Sequence, residues 1–381
     1  MSRLVKAARA AGTVGTWLGV ASAGAAVGFA AERYTMGRSL KGDDPYADEP
    51  FGSLRGESRT VRTDDGVDLH VEVDEPDADA GPDVTVVFSH GFALTQDSWH
   101  FQRRDLRGRA RLVFWDQRGH GRSGALPEGG ELSLARLGAD LGHVVDAVAP
   151  HGPVVLVGHS MGGMTLLELA ADRPELFEGR VAGVALAATS ARKLDVSGFG
   201  LPGYLGKVAG RAAPGALSVL SRRPELVERG RRMGSDLGYV LTRRYAFAEG
   251  GSPRLVEFTA LMNAAVPIDV VAEFFPLFGA LDASAALPVL AGVPAFVVGA
   301  EHDLMTPVEH GRAIAEQLSD VEYVEATDAG HMVVLERHEL VTEGIAELLQ
   351  RVRSGRTRAR RSSTRVASLN NRPRPRGKEQ V

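Results

Sequence analysis

The chain has 381 residues, 44% of them hydrophobic and 24% charged, which suits one large α/β domain with an insertion or two small domains. It contains no cysteine, which excludes disulfides, a cysteine nucleophile, thiolate metal sites and an acylated-cysteine anchor. Ten arginines and one lysine against one glutamate give residues 351–381 a charge of +10, so the net −4 of the chain leaves −14 on the remainder, an acidic body with a basic tail.

Residues 1–38 form an apolar N-terminal segment. Arg3, Lys6 and Arg9 precede a charge-free run of 22 residues, Ala10 to Ala31, long enough to cross a bilayer as a helix. Three readings stand open. The run is a membrane anchor, a cleaved signal with a small-residue site at Ala21-Ser22-Ala23 or Gly28-Phe29-Ala30, or an Ala/Gly-rich segment that meets no membrane. Membrane association through residues 10–31 is the expectation taken forward; secretion after cleavage and a cytoplasmic location are its alternatives. Residues 39–57 are polar, carry Pro45 and Pro50, and read as a linker.

A folded core is expected over 58–189 and 288–351. Arg59–Thr63 and Asp68–Val73 flank Asp64-Asp65-Gly66 and read as a hairpin. Val84–Ser89 and Ala110–Trp115 read as strands, and Leu132–Val148 has helical periodicity. Val154–Val157 is a further strand and Met161–Ala171 a helix. Val181–Ala188, Pro294–Val298 and Val321–Val324 are strands; Val308–Leu318 and His338–Arg351 are helices. The alternation predicts a mostly parallel sheet with helices on both faces. Residues 190–287 interrupt it with helical stretches such as Pro224–Met233 and Ile268–Phe278. Nearly 100 residues between strands exceed a simple loop, so an inserted helical cap is expected. Residues 352–381, rich in Arg, Ser and Pro, are expected to be disordered.

The chemistry concentrates at Gly158-His159-Ser160-Met161-Gly162, a G-x-S-x-G sequence between a strand and a helix. Such a turn strains the serine backbone and needs small neighbours so that strand and helix approach closely. A serine hydroxyl needs a base to take its proton and an acid to orient that base. Asp303 lies on the loop after Pro294–Val298, and His331 on the loop after Val321–Val324; both leave the same sheet edge as Ser160. Glu301 is the rival acid. His302 precedes the acid, and His310 and His338 sit on predicted helices as surface groups. Oxyanion donors are expected from the backbone N–H of Met161, at a helix N-terminus, and of Phe92, after Ser89-His90-Gly91. The loop Asp116-Gln117-Arg118-Gly119-His120-Gly121-Arg122-Ser123 reads as structural. Histidines are scattered without an H-x-x-x-H pair, and no glycine-rich run ends in Lys-Ser/Thr, so neither metal nor cofactor is expected.

Together, His90-Gly91-Phe92, Asp116 to Ser123, Gly158 to Gly163, Asp303 and His331 resemble the α/β-hydrolase superfamily over about residues 58–350. The resemblance implies the α/β-hydrolase fold with an eight-stranded sheet and a variable cap where residues 190–287 fall. It implies Ser160 as nucleophile, Asp303 as acid, His331 as base, and Phe92 and Met161 as oxyanion donors. Haloalkane dehalogenases and epoxide hydrolases carry Asp at the elbow, so Ser160 argues against both. The expected activity is hydrolysis of small carboxylic esters through an acyl-enzyme, with apolar acyl groups if Phe199, Tyr204, Phe274, Phe275 and Phe278 of the cap line a pocket rather than the cap core. Cofactor-free perhydrolase or C–C bond hydrolase chemistry on the same residues is an alternative, and so is a membrane-tethered binding module. No specific nucleic-acid partner is expected, and the sequence leaves the oligomeric state open.

Overall fold

The computed structural model describes residues 44–80, 84–125, 129–130, 132–194, 238–355 and 363–367. The apolar N-terminal segment, most of the basic tail, and the Phe199 and Tyr204 positions of the cap lie outside them.

Among the described residues nine strands form one sheet. These are β1 (Glu57–Arg62), β2 (Asp68–Asp74), β3 (Thr85–Ser89), β4 (Arg111–Trp115), β5 (Val154–His159), β6 (Val181–Ala187), β7 (Ala295–Ala300), β8 (Val321–Ala326) and β9 (Ser363–Ala367). Their order is β1-β2-β4-β3-β5-β6-β7-β8-β9. β1 and β2 make the expected hairpin, β2 runs antiparallel to β4, and every later pair is parallel. The first eight strands match the expected sheet.

The helices are α1 (His100–Leu106), α2 (Leu134–Val148), α3 (Met161–Asp172), α4 (Pro174–Gly179), α5 (Pro253–Ala265), α6 (Ile268–Ala280), α7 (Ala286–Leu290), α8 (Val308–Ala315), α9 (Val333–Glu336) and α10 (His338–Ser354). A further helical stretch covers 238–246. Strand side chains alternate between two buried layers. Val87, Val113 and Leu156 join the α2–α3 side, whereas Phe88, Phe114 and Val157 join the α1–α10 side. Burial on both faces explains why these strands read as continuous apolar runs. α2 begins two residues later than its periodicity because Ser133 caps it, accepting the Arg136 N–H at 3.1 Å.

Cap helices α5 and α6 join opposite layers. Leu255, Val256 and Met262 of α5 pack on the α1 side, and Val270, Phe274 and Phe278 of α6 on the α3 side. Phe274 stacks against Phe92 and Phe278 meets it edge-on, with ring centroids 5.9 and 5.2 Å away.

Two expectations are corrected. The described part of the linker, 44–56, is a packed strap. Asp44 accepts hydrogen bonds from the Ser252 hydroxyl at 2.8 Å and the Arg254 N–H at 2.9 Å, at the start of α5. Tyr46 lies against Phe101, and Phe51 stacks on Phe258 at 4.5 Å. Two aromatic rings with apolar partners outweigh the polar composition around them. The basic tail is also not structureless throughout. α10 continues to Ser354, and Ser363–Ala367 pair in parallel with β8, whose outer edge would otherwise present unpaired backbone groups.

Candidate active site

Ser160 follows β5, Asp303 follows β7 and His331 follows β8. These strands are mutually parallel through β6, so all three residues emerge at one edge. Ser160 has φ 52° and ψ −119°, a strained conformation for a residue with a side chain. The glycines around it are required by contact. A Cβ on Gly158 would lie 2.5 Å from the Gly162 carbonyl, and one on Gly162 would collide with the Ser89 carbonyl of β3.

His331 Nε2 lies 2.8 Å from Ser160 Oγ, and its Nδ1 lies 2.9 Å from Asp303 Oδ2. The carboxylate can only accept from Nδ1–H, which leaves Nε2 free to accept the serine proton. Asp303 is fixed by further donors. The Met305 and Thr306 N–H groups reach Oδ1 at 2.8 Å each, and the Thr306 hydroxyl reaches Oδ2 at 2.7 Å. Burial pushes the Asp303 carboxyl up, but His331 and the Thr306 donors outweigh it, so it lies below its ordinary value. This geometry permits proton transfer from a serine hydroxyl to an oriented imidazole.

The Phe92 and Met161 N–H groups have no hydrogen-bond partner among the described residues. Met161 opens the twelve-residue α3, where N–H groups are unpaired by geometry and the dipole favours negative charge. The Phe92 loop is held by two buried imidazoles. His90 donates Nδ1–H to Gly91 O at 2.7 Å and accepts the Gln117 N–H on Nε2 at 2.9 Å. His120 donates to Arg118 O at 2.9 Å and accepts the Ala93 N–H at 3.2 Å. Each uses both ring nitrogens in the neutral form, and burial pushes them down to about 4 and about 3. The loop from Asp116 to Ser123 is thus a scaffold, as its glycines and charges imply. Arg118 at its centre pairs with Asp140 at 2.6 Å and Asp65 at 2.8 Å.

The rivals fall elsewhere. The Asp328 N–H donates to Glu301 at 3.3 Å, and His302 is exposed. His310 bonds the Ser190 hydroxyl at 2.7 Å. His338 is buried and stacks on Phe101 at 3.8 Å, so it is not the surface group its helix position implies. Sequence reasoning missed Thr306, whose signal is the Asp-x-x-Thr spacing of a local side-chain turn. It also missed Glu336, which accepts the N–H of Gly330 beside His331 at 2.7 Å. A cleft of about 500 Å³ opens at the opposite sheet edge, where Arg111 binds Glu75 and the Val148 carbonyl. Among the described residues no cluster could hold a metal ion, and no single helix is long and apolar enough to cross a membrane.

A family model described as alpha/beta hydrolase fold matches residues 84–338. The chain is 26% identical over 269 residues to the dihydrolipoyllysine-residue acetyltransferase component of the acetoin cleaving system of Pseudomonas putida, covering 70% of this chain and 63% of that relative. It is 33% identical over 150 residues to lipase LipV of Mycobacterium tuberculosis, covering 38% and 54%. The chain therefore spans less than two thirds of the length of each. Among solved structures it superposes on a thermophilic esterase from Thermogutta terrifontis with a TM-score of 0.60 at 24% identity, covering 78% of this chain and all of that one.

Proposed function

The chain belongs to the α/β-hydrolase fold family, and from that premise we propose that it is a serine hydrolase cleaving carboxylic esters through an acyl-enzyme. The observation that carries this reading is the hydrogen-bonded line from Ser160 through His331 to Asp303, at 2.8 and 2.9 Å, with the serine on a strained elbow.

Ser160 Oγ attacks the acyl carbonyl while His331 Nε2 takes its proton. Charge develops on the carbonyl oxygen and is met by the Phe92 and Met161 N–H groups. The tetrahedral intermediate collapses, His331 returns the proton to the leaving alcohol, and the acyl group stays on Ser160. Water then gives a proton to His331 and attacks the acyl carbon; the bond to Ser160 Oγ breaks, His331 returns that proton to the serine oxygen, and the acid leaves. Throughout, Asp303 holds the imidazole in one tautomer and stabilises its protonated form.

The preferred substrate in this reading carries an apolar acyl chain. Its support is the apolar setting of one oxyanion donor, where Phe92 packs against the buried Phe274 and Phe278 of the cap. A panel of p-nitrophenyl esters of rising chain length tests it. Activity sustained into medium and long chains is expected; loss beyond short acyl groups contradicts the apolar substrate.

The reading extends to location: residues 10–31 tether the enzyme to a membrane. Its support is the 22-residue charge-free run. Fractionation of the full chain checks this, with retention in a carbonate-washed membrane pellet expected and recovery in the soluble fraction contradicting it.

A further inference from the structure

Glu336 closes α9 five residues after His331, and both of its carboxylate oxygens are engaged by backbone. Oε2 accepts the Gly330 N–H at 2.7 Å, and Oε1 accepts the Ala248 N–H at 2.9 Å. Gly330 immediately precedes His331, whereas Ala248 belongs to the segment between the helical stretch 238–246 and α5. One side chain therefore ties the loop of the imidazole to the cap insertion. The contact continues on both sides of His331. The Met332 N–H donates to Ala246 O at 2.8 Å, and a Cβ on Gly330 would lie 2.6 Å from the backbone of Phe247.

We propose that Glu336 is a positioning residue for His331, joining the placement of the imidazole to the seating of cap residues 246–248. The inference rests on the reading of Ser160 and His331 as nucleophile and base. The chemistry requires an ionised carboxylate, because two N–H donors need an acceptor on each oxygen, whereas a protonated carboxyl or an amide turns one position into a donor. Burial pushes the Glu336 carboxyl up to about 7, with the Ala248 and Gly330 N–H groups and the Arg337 charge opposing it and the Asp303 charge adding to it. Arg337 is itself bound to the Thr327 and Asp328 carbonyls, and His331 stands on the loop that Glu336 holds. The acceptor is therefore lost as the pH falls through about 7.

Two requirements on the acidic side give a distinct signature. If Glu336 must be ionised and His331 neutral, log kcat/KM of the full chain on a soluble ester falls with a slope of about two at low pH. In Glu336→Gln one requirement is gone, and the expected slope is about one, with kcat near neutrality lowered about tenfold because one N–H is left facing an amide donor. A merely structural role lowers the amount of folded enzyme without changing the slope. Equal slopes in the two proteins overturn the proposal. Ala248→Pro removes the cap-side donor without altering Glu336 and serves where Glu336→Gln does not fold; a fall of at least about fivefold in kcat supports the coupling, and an unchanged kcat overturns it. Labelling of each protein by a fluorophosphonate separates the two layers. Wild-type protein that does not label overturns the nucleophile reading, whereas labelled proteins with identical acid limbs overturn the role of Glu336 alone.

Discussion

His159 Nε2 lies 2.9 Å from the carbonyl oxygen of His331, and since a carbonyl only accepts, the imidazole donates. The variable position of the pentapeptide thus reaches across the site to the backbone of the base. Its other nitrogen, Nδ1, is buried without a partner among the described residues and faces Gly91. A His159→Leu substitution keeps bulk but removes the donor to a buried carbonyl, a loss of about 1 kcal/mol or more. We expect kcat/KM to fall about five- to tenfold, with the melting temperature reduced by a few degrees. Steady-state kinetics check this, and wild-type kcat/KM would leave the contact without a role in placing His331.

Thr306 offers a test of the acid. Its hydroxyl and the His331 Nδ1–H share Asp303 Oδ2, at 2.7 and 2.9 Å. Thr306→Val removes a hydrogen bond to a charged group, worth about 1.5 kcal/mol, so kcat is expected to drop roughly tenfold. Asp303→Asn should do far more, about four orders of magnitude, by imposing the wrong tautomer on His331. A comparison of kcat in the two variants is sufficient. Equal, small losses would indicate that Asp303 does not orient the base.

The stability of the fold toward acid follows from its histidines. His90, His120 and His159 are buried and neutral, with burial holding them down at about 4, about 3 and about 3. The unfolded chain binds protons at these residues below about pH 6.5, and the native state resists until near pH 4. Protons therefore favour the unfolded chain throughout that window, and stability falls as pH falls. At pH 5.5 the cost is about 1 kcal/mol for each histidine. Glu72 acts lower down. Burial would raise it, but His70, Arg103 and the Gly56 N–H hold it at about 2, so its contribution is present above about 4.5 and lost toward 2. Glu336, raised to about 7 in the fold, binds its proton earlier than in the unfolded chain and opposes this trend. Three histidines outweigh one carboxyl, so thermal denaturation should show a net decline beginning near pH 6.5; a melting temperature flat from pH 7 to pH 5 would contradict it.

Much of the sheet was legible because its strands are buried on both faces and read as short apolar runs between turns. The edge that carries Ser160, Asp303 and His331 was legible for a related reason. Parallel strands send their following loops to one side, so three positions distant in sequence share one place. The strap was not legible, since Tyr46 and Phe51 are two rings in a polar stretch whose partners, Phe101 and Phe258, lie far along the chain. His338 was misread for the same reason, because the stacking partner that buries it is more than 200 residues away. Thr306 carried a local signal and Glu336 carried none. The role of a carboxylate that bonds two backbone amides depends on which loops meet there, and the cap segment at Ala248 reaches it only in three dimensions.

Every step proposed above depends on Ser160 being an activated nucleophile. The most direct measurement is covalent labelling of the full-length protein by a fluorophosphonate, with the modified peptide identified by mass spectrometry. One phosphonyl adduct is expected on the peptide containing Ser160, absent from Ser160→Ala and formed much more slowly in His331→Ala. Folded wild-type protein that fails to label, or that labels equally well in Ser160→Ala, would contradict it.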